Sequence, residues 1–147
     1  MTAPRDTTTF SHLGLCVADV DRSLRFYCDG LGFAPAERFD IDSTYAASLE
    51  VAGDVACVSQ FIRREGLAVE LLGWREPAPV GVPSRSRGQL GLTHLSFYVE
   101  DVAATAARLV ELGGTVIEST HLRGPFELVF LADPDGTRVE LMRRPTS

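Results

Sequence analysis

Lysine is absent from the 147-residue chain, and all 14 basic residues are arginines. A catalytic lysine, a Schiff base and the lysine of a phosphate-binding P-loop are thereby excluded. Long apolar runs are absent too. Leu128–Ala132 is typical of the longest, and nothing approaches the ~20 residues of a membrane span. Residues 1–9 are polar, with Pro4, Arg5 and Asp6, so a secretory leader is not expected there. Basic clusters are missing and the formal net charge is −6, which argues against a nucleic-acid partner. Cysteine is scarce. Cys16, Cys28 and Cys57 are odd in number and form no CxxC motif, so they read as reduced thiols in a cytoplasm.

Apolar residues make up 45% of the chain and charged residues 23%, enough for a core that needs no disulfide staple. The length suits one ordinary domain, or two small modules sharing a core. Internal repetition decides for the modules. His12-Leu-Gly-Leu-Cys-Val-Ala-Asp-Val20 recurs 82 residues later as His94-Leu-Ser-Phe-Tyr-Val-Glu-Asp-Val102, and Gly32 matches Gly114. A second echo, Val69-Glu70-Leu71 and Val139-Glu140-Leu141, has an offset of 70, so the second half has a shorter middle.

Each half reads as βαβββ. In the first, a strand over residues 10–17 precedes a helix over 19–31. Asp19 or Asp21 would cap its start, and Gly30 and Gly32 would end it. Strands follow near 38–49, 55–62 and 67–72. In the second, the helix starts at Glu100-Asp101, runs through Leu112 and stops at Gly113-Gly114. Strands follow at 116–119, 126–132 and 138–142, with Asp133-Pro-Asp-Gly136 as the last turn. Residues 76–91, with three prolines and alternating Ser and Arg, form the connector between modules at 9–75 and 92–143. Neither module can cover both faces of its own sheet. The expected fold is therefore α+β, two tandem βαβββ modules forming one shared, barrel-like mixed sheet.

The repeat carries the chemistry. His12 and His94 begin equivalent strands, and Glu70 and Glu140 lie on equivalent closing strands. Alternation turns the valine and leucine flanks to one face and each glutamate to the other. Taken singly, each is as well read as an ordinary strand residue facing water. Repeated in both halves and related by a pseudo-twofold axis, the four would meet, and two imidazoles with two carboxylates suit a divalent first-row metal.

These motifs, with Phe26-Tyr27, Leu31-Gly32-Phe33 and Asp133-Pro-Asp-Gly136, resemble the vicinal oxygen chelate superfamily over residues 9–143. That group includes glyoxalase I, methylmalonyl-CoA epimerase, extradiol dioxygenases and the bleomycin- and fosfomycin-resistance proteins. The resemblance implies paired modules, usually a homodimer, and one divalent ion (Zn, Ni, Co, Mn or Fe) held by His12, Glu70, His94 and Glu140. It implies a lyase or isomerase working through a metal-chelated enediolate on a small oxygenated substrate, with Glu140 or Glu70 as base.

Glyoxalase I commonly carries an arginine four residues after the first histidine and an asparagine four after the first glutamate. Here these are Cys16 and Trp74, so a glutathione adduct is not the expected substrate. Expected substrate contacts are Trp74, Phe61, Cys57, Tyr98 and Arg123. Each also has a plainer reading as a core, buried or solvated residue. One alternative is an Fe(II) ring-cleaving dioxygenase using His12, His94 and Glu140. Against it, Val129-Phe130-Leu131 offers no tyrosine, and the one spare histidine, His121, reads as an exposed loop residue. The other alternative is a non-catalytic, bleomycin-resistance-like binder with an apolar cleft lined by Phe39, Tyr45, Phe61, Trp74, Tyr98 and Phe126. The full ligand set argues against it.

Overall fold

The computed structural model describes residues 7–145. Each half is βαβββ, and the fold is α+β. The first half comprises β1 (Leu13–Val17), α1 (Val20–Leu24), β2 (Ala34–Asp42), β3 (Ala56–Arg64) and β4 (Leu67–Glu76). The second comprises β5 (Leu95–Val99), α2 (Val102–Glu111), β6 (Thr115–Leu122), β7 (Leu128–Ala132) and β8 (Arg138–Arg143). The strand orders, β1-β4-β3-β2 and β5-β8-β7-β6, repeat one another. In both, the first strand runs parallel to the last and the other pairings are antiparallel. The expected shared sheet is realised as two four-stranded mixed sheets whose helix-covered faces contribute to one hydrophobic cluster. No helix among the described residues is long and apolar enough to cross a membrane.

Both helices start at the aspartate that follows the first strand. Asp19 accepts from the Arg22 N–H, and Asp101 from the Ala104 N–H. α1 is shorter than the helix expected over 19–31, because the chain continues as a π-helical turn over Arg25–Gly30. Adjacent Phe26 and Tyr27 are both fully buried there. The apolar face is broader than one α-helical stripe, and the wider turn presents both rings to the core. β2 begins earlier than expected and stops at Asp42, whose carboxylate accepts from the Thr44 N–H and hydroxyl. That local turn ends the strand and starts a short 3₁₀ turn at Ser43–Tyr45.

The halves meet through their helices and the last turn. The Tyr27 hydroxyl donates to Asp133 Oδ2 at 2.7 Å, and the Asp135 and Thr137 N–H groups donate to Asp133 Oδ1. Arg22 and the Ala18 N–H both reach Asp135, and Arg108 donates to the Gly30 carbonyl. Gly30 favours this approach, since a Cβ there would lie 2.5 Å from Leu109 Cδ2 and that side chain would have to shift. Burial pushes the Tyr27 hydroxyl well above its ordinary pKa, and the Asp133 carboxylate adds to the effect. The phenol therefore stays a donor.

Tyr27→Phe leaves buried Asp133 short of one partner while conserving ring volume. The expected cost is about 1–3 kcal/mol in chemical denaturation. A loss indistinguishable from zero would remove this bond from the account of how the halves are joined.

Candidate metal centre

Glu70 stands opposite Gly14 on one side and Phe61 on the other, and Glu140 opposite Ser96 and Phe130. Val69, Leu71, Val139 and Leu141 are fully buried on the opposite faces. Both glutamates therefore point away from the helices, towards the histidine that precedes the neighbouring strand. His12 Nε2 lies 3.2 Å from Glu70 Oε2, and His94 Nε2 lies 3.4 Å from Glu140 Oε2. About a third of each imidazole surface stays accessible.

The two pairs share more than the ligand types. Phe61 meets the His12 ring edge-on at 5.1 Å, and Phe130 meets His94 in the same way at 5.2 Å. Ser11 Oγ lies 2.8 Å from His12 Nδ1, and Thr93 Oγ1 lies 2.7 Å from His94 Nδ1. A hydroxyl accepting from Nδ1–H fixes the ring and leaves the Nε2 lone pair for a cation. The spacing fits such an ion. Donors bonded at about 2.1 Å to one tetrahedral or octahedral centre sit about 3.0–3.4 Å apart.

The pairs are not equivalent in one respect. The Ser59 hydroxyl donates to Glu70 Oε1 at 2.5 Å. The matching place on β7 is Leu128, across from Met142 as Ser59 is across from Leu72. Among the described residues, Glu140 Oε1 has no such donor.

The structure brings His12 to Glu70 and His94 to Glu140, but it does not gather all four. Among the described residues no group of three or more His, Cys, Asp or Glu could hold one ion. The expectation that all four meet is thus not met within one chain. The physical reason is the shared core, which buries the two sheet faces opposite the pairs and leaves the pairs on outward faces.

Of the expected substrate contacts, Phe61 touches His12 and packs edge-on against Phe39 at 6.4 Å. Trp74 lies on the same sheet face, across from Cys57. Cys57 is buried, and burial, with smaller effects of Cys16 and Glu70, pushes its thiol up to about 11. It is inert at neutral pH. Tyr98 lies on the His94 face of its strand, half exposed, beside Arg64 and Arg144. Arg123 is exposed in the loop after β6. Of the remaining aromatics, Tyr45 and Phe126 are about half exposed.

His121 is a correction. It lies on β6, not in an exposed loop, and its side chain is 12% accessible and pairs with Glu127 at 3.0 Å. Glu127 also binds Arg143, and the His121 hydrogen bond is the main cause lowering its pKa. Ser11, Thr93, Ser59 and Phe130 were not singled out from sequence. The first two had a signal, since a hydroxyl residue directly precedes each repeated histidine.

A family model described as the Glyoxalase/Bleomycin resistance protein/Dioxygenase superfamily matches residues 9–141. A catechol-2,3-dioxygenase from Bacillus subtilis is 28% identical over 151 residues, covering 100% of this chain and 46% of that protein. The chain thus spans about half that relative's length. A probable lactoylglutathione lyase from Synechocystis is 29% identical over 135 residues, covering 90% of this chain and 92% of that protein. A glyoxalase family protein from Bacillus cereus shares the fold with a TM-score of 0.83 at 15% identity, covering 99% of this chain and 100% of that one. FosX from Listeria monocytogenes, complexed with Mn(II) and sulfate, has a TM-score of 0.60 at 16% identity, covering 95% and 94%.

Ser59→Ala removes the donor that holds Glu70. Metal affinity, measured by competition with a chromophoric chelator, is expected to fall by about tenfold or more. An unchanged affinity would mean that Ser59 does not orient a ligand.

Proposed function

The chain belongs to the Glyoxalase/Bleomycin resistance protein/Dioxygenase superfamily, and from that premise we propose that it is a metal-dependent lyase or isomerase whose centre is completed by a second copy of the chain. One observation carries this reading. Each half presents the same unit, an imidazole Nε2 facing a carboxylate oxygen with a hydroxyl on Nδ1. One such pair is half a coordination sphere. His12 and Glu70 of one copy, with His94 and Glu140 of the partner subunit, make a full one that leaves positions for substrate. The connector and the residue after it support the pairing of copies, because Val80, Leu90 and Leu92 are 95%, 98% and 80% exposed and a second chain would cover such apolar surface.

A divalent ion held there would polarise a substrate carbonyl oxygen. The residues divide the remaining work. Ser59 holds Glu70 in place, whereas among the described residues Glu140 keeps one carboxylate oxygen without a donor. Glu140 is therefore the base that removes the proton from the carbon next to the carbonyl and returns it at the neighbouring position. Phe61 and Trp74 wall the first half's face and exclude water. Cys16 and Trp74 stand where glutathione-dependent relatives commonly carry arginine and asparagine, which favours a small oxygenated substrate over a glutathione adduct.

The Bacillus relative, which matches the whole chain, is the observation favouring a ring-cleaving dioxygenase. Against it, the one further histidine, His121, is already paired with Glu127.

Complementation tests the shared centre. Two double variants, His12→Ala with Glu70→Ala and His94→Ala with Glu140→Ala, are expected to bind no metal alone. Refolded together in equal amounts, they should recover about a quarter of the parental sites, because half the dimers are mixed and each mixed dimer holds one intact centre. No recovery, with both variants folded and dimeric, would contradict a centre built across two chains.

A further inference from the structure

The segment after β4 folds back over β1 and the start of β5 and walls one side of an open cavity of about 290 Å³ beside His94. Its apolar lining includes Leu15 and Leu90, and its charged lining is Arg87 and Arg138. No carboxylate lines it, although the chain as a whole carries a net charge of −6. Neither arginine takes part in an ion pair among the described residues. Among the described residues, Arg87 donates only to the Ser84 carbonyl. Arg138 Nε is buried without a hydrogen-bond partner, one of three such side-chain atoms among the described residues. Arg85 lines a neighbouring cavity of about 220 Å³ with Arg138. The acid there, Asp135, is already bound to Arg22 and the Ala18 N–H.

Guanidinium groups gathered without a counter-charge repel one another, and an orphaned N–H beside a cavity is a donor without an acceptor. Both are satisfied by one group, an oxyanion taking parallel N–H bonds from the arginine fork. We propose that Arg138 and Arg87 form an oxyanion subsite that holds the carboxylate or phosphate end of the substrate.

The position sets the substrate's size, a point that rests on the metal-centre reading. Arg138 and Glu140 are two residues apart on β8 and share a face, a separation of about 7 Å along the strand. His94, which lines the cavity, is the partner of Glu140. The substrate class is therefore a short-chain oxygenated acid or phosphate, anionic at one end and chelating at the other.

The test uses the full chain, freed of metal by chelation and dialysis, so its outcome does not depend on the metal centre. Arginine Nε–H resonances are followed by NMR during titration with sodium phosphate, sodium acetate or sodium chloride at constant ionic strength. The Arg138 signal is identified by its loss in Arg138→Gln. A saturable shift with phosphate or acetate but not chloride is expected, with binding about tenfold weaker in Arg87→Gln. A stronger response to phosphate assigns a phosphate ester, and a stronger response to acetate a carboxylate. No saturable shift with either, or equal binding in parent and Arg87→Gln, overturns the subsite. Metal affinity is measured separately on the parent and on Arg138→Gln. A parent that binds oxyanion but no metal contradicts the metal reading alone. A parent that binds metal but no oxyanion contradicts the subsite alone.

Discussion

A strand that buries residues i and i+2 must turn residue i+1 to its other face. Val69 and Leu71 have no accessible surface, and neither do Val139 and Leu141. Glu70 and Glu140 are therefore turned to the outward face by the hydrophobic core itself. Parallel pairing of the first and last strands then puts a histidine within reach of each carboxylate. The remaining features act on this frame. Ser11 and Thr93 orient the rings, and Ser59 distinguishes one carboxylate from the other.

The same core explains why the pairs stay apart. Each sheet offers its helix-covered face to the common cluster, and the Tyr27–Asp133 bond, with the Arg22–Asp135 pair, ties the first half's helix to the last turn of the second. What joins the halves is on one side of each sheet, and what is chemically useful is on the other. Under the proposed pairing, a second copy meeting the outward faces would reconcile a repeated half-centre with a single joined core.

The order of elements and the two histidine–glutamate pairs were legible because they rest on periodicity and on a repeat. Capping aspartates, the terminal turn and the alternation around each glutamate are local signals, and the structure follows them. The misses have non-local or side-chain causes. In the segment around His121, Thr120 interrupts the ladder. Its hydroxyl takes the Phe130 N–H and donates to the Ile117 carbonyl, and the register shifts across this stretch. The strand nevertheless continues to Leu122 and brings His121 to Glu127. Ser59 sits in a strand of mixed character, where nothing in sequence says that its hydroxyl will meet a glutamate from the next strand. The separation of the two pairs depends on which sheet faces share a core, which no repeat can reveal.

X-ray absorption at the edge of the bound metal tests the central claim most directly, because it counts the imidazoles around one ion. The account predicts two per metal, with carboxylate oxygens completing the sphere, since a full centre draws one histidine from each kind of half. One imidazole per metal would mean that each histidine–glutamate pair holds its own ion, and would contradict a centre shared between the two halves.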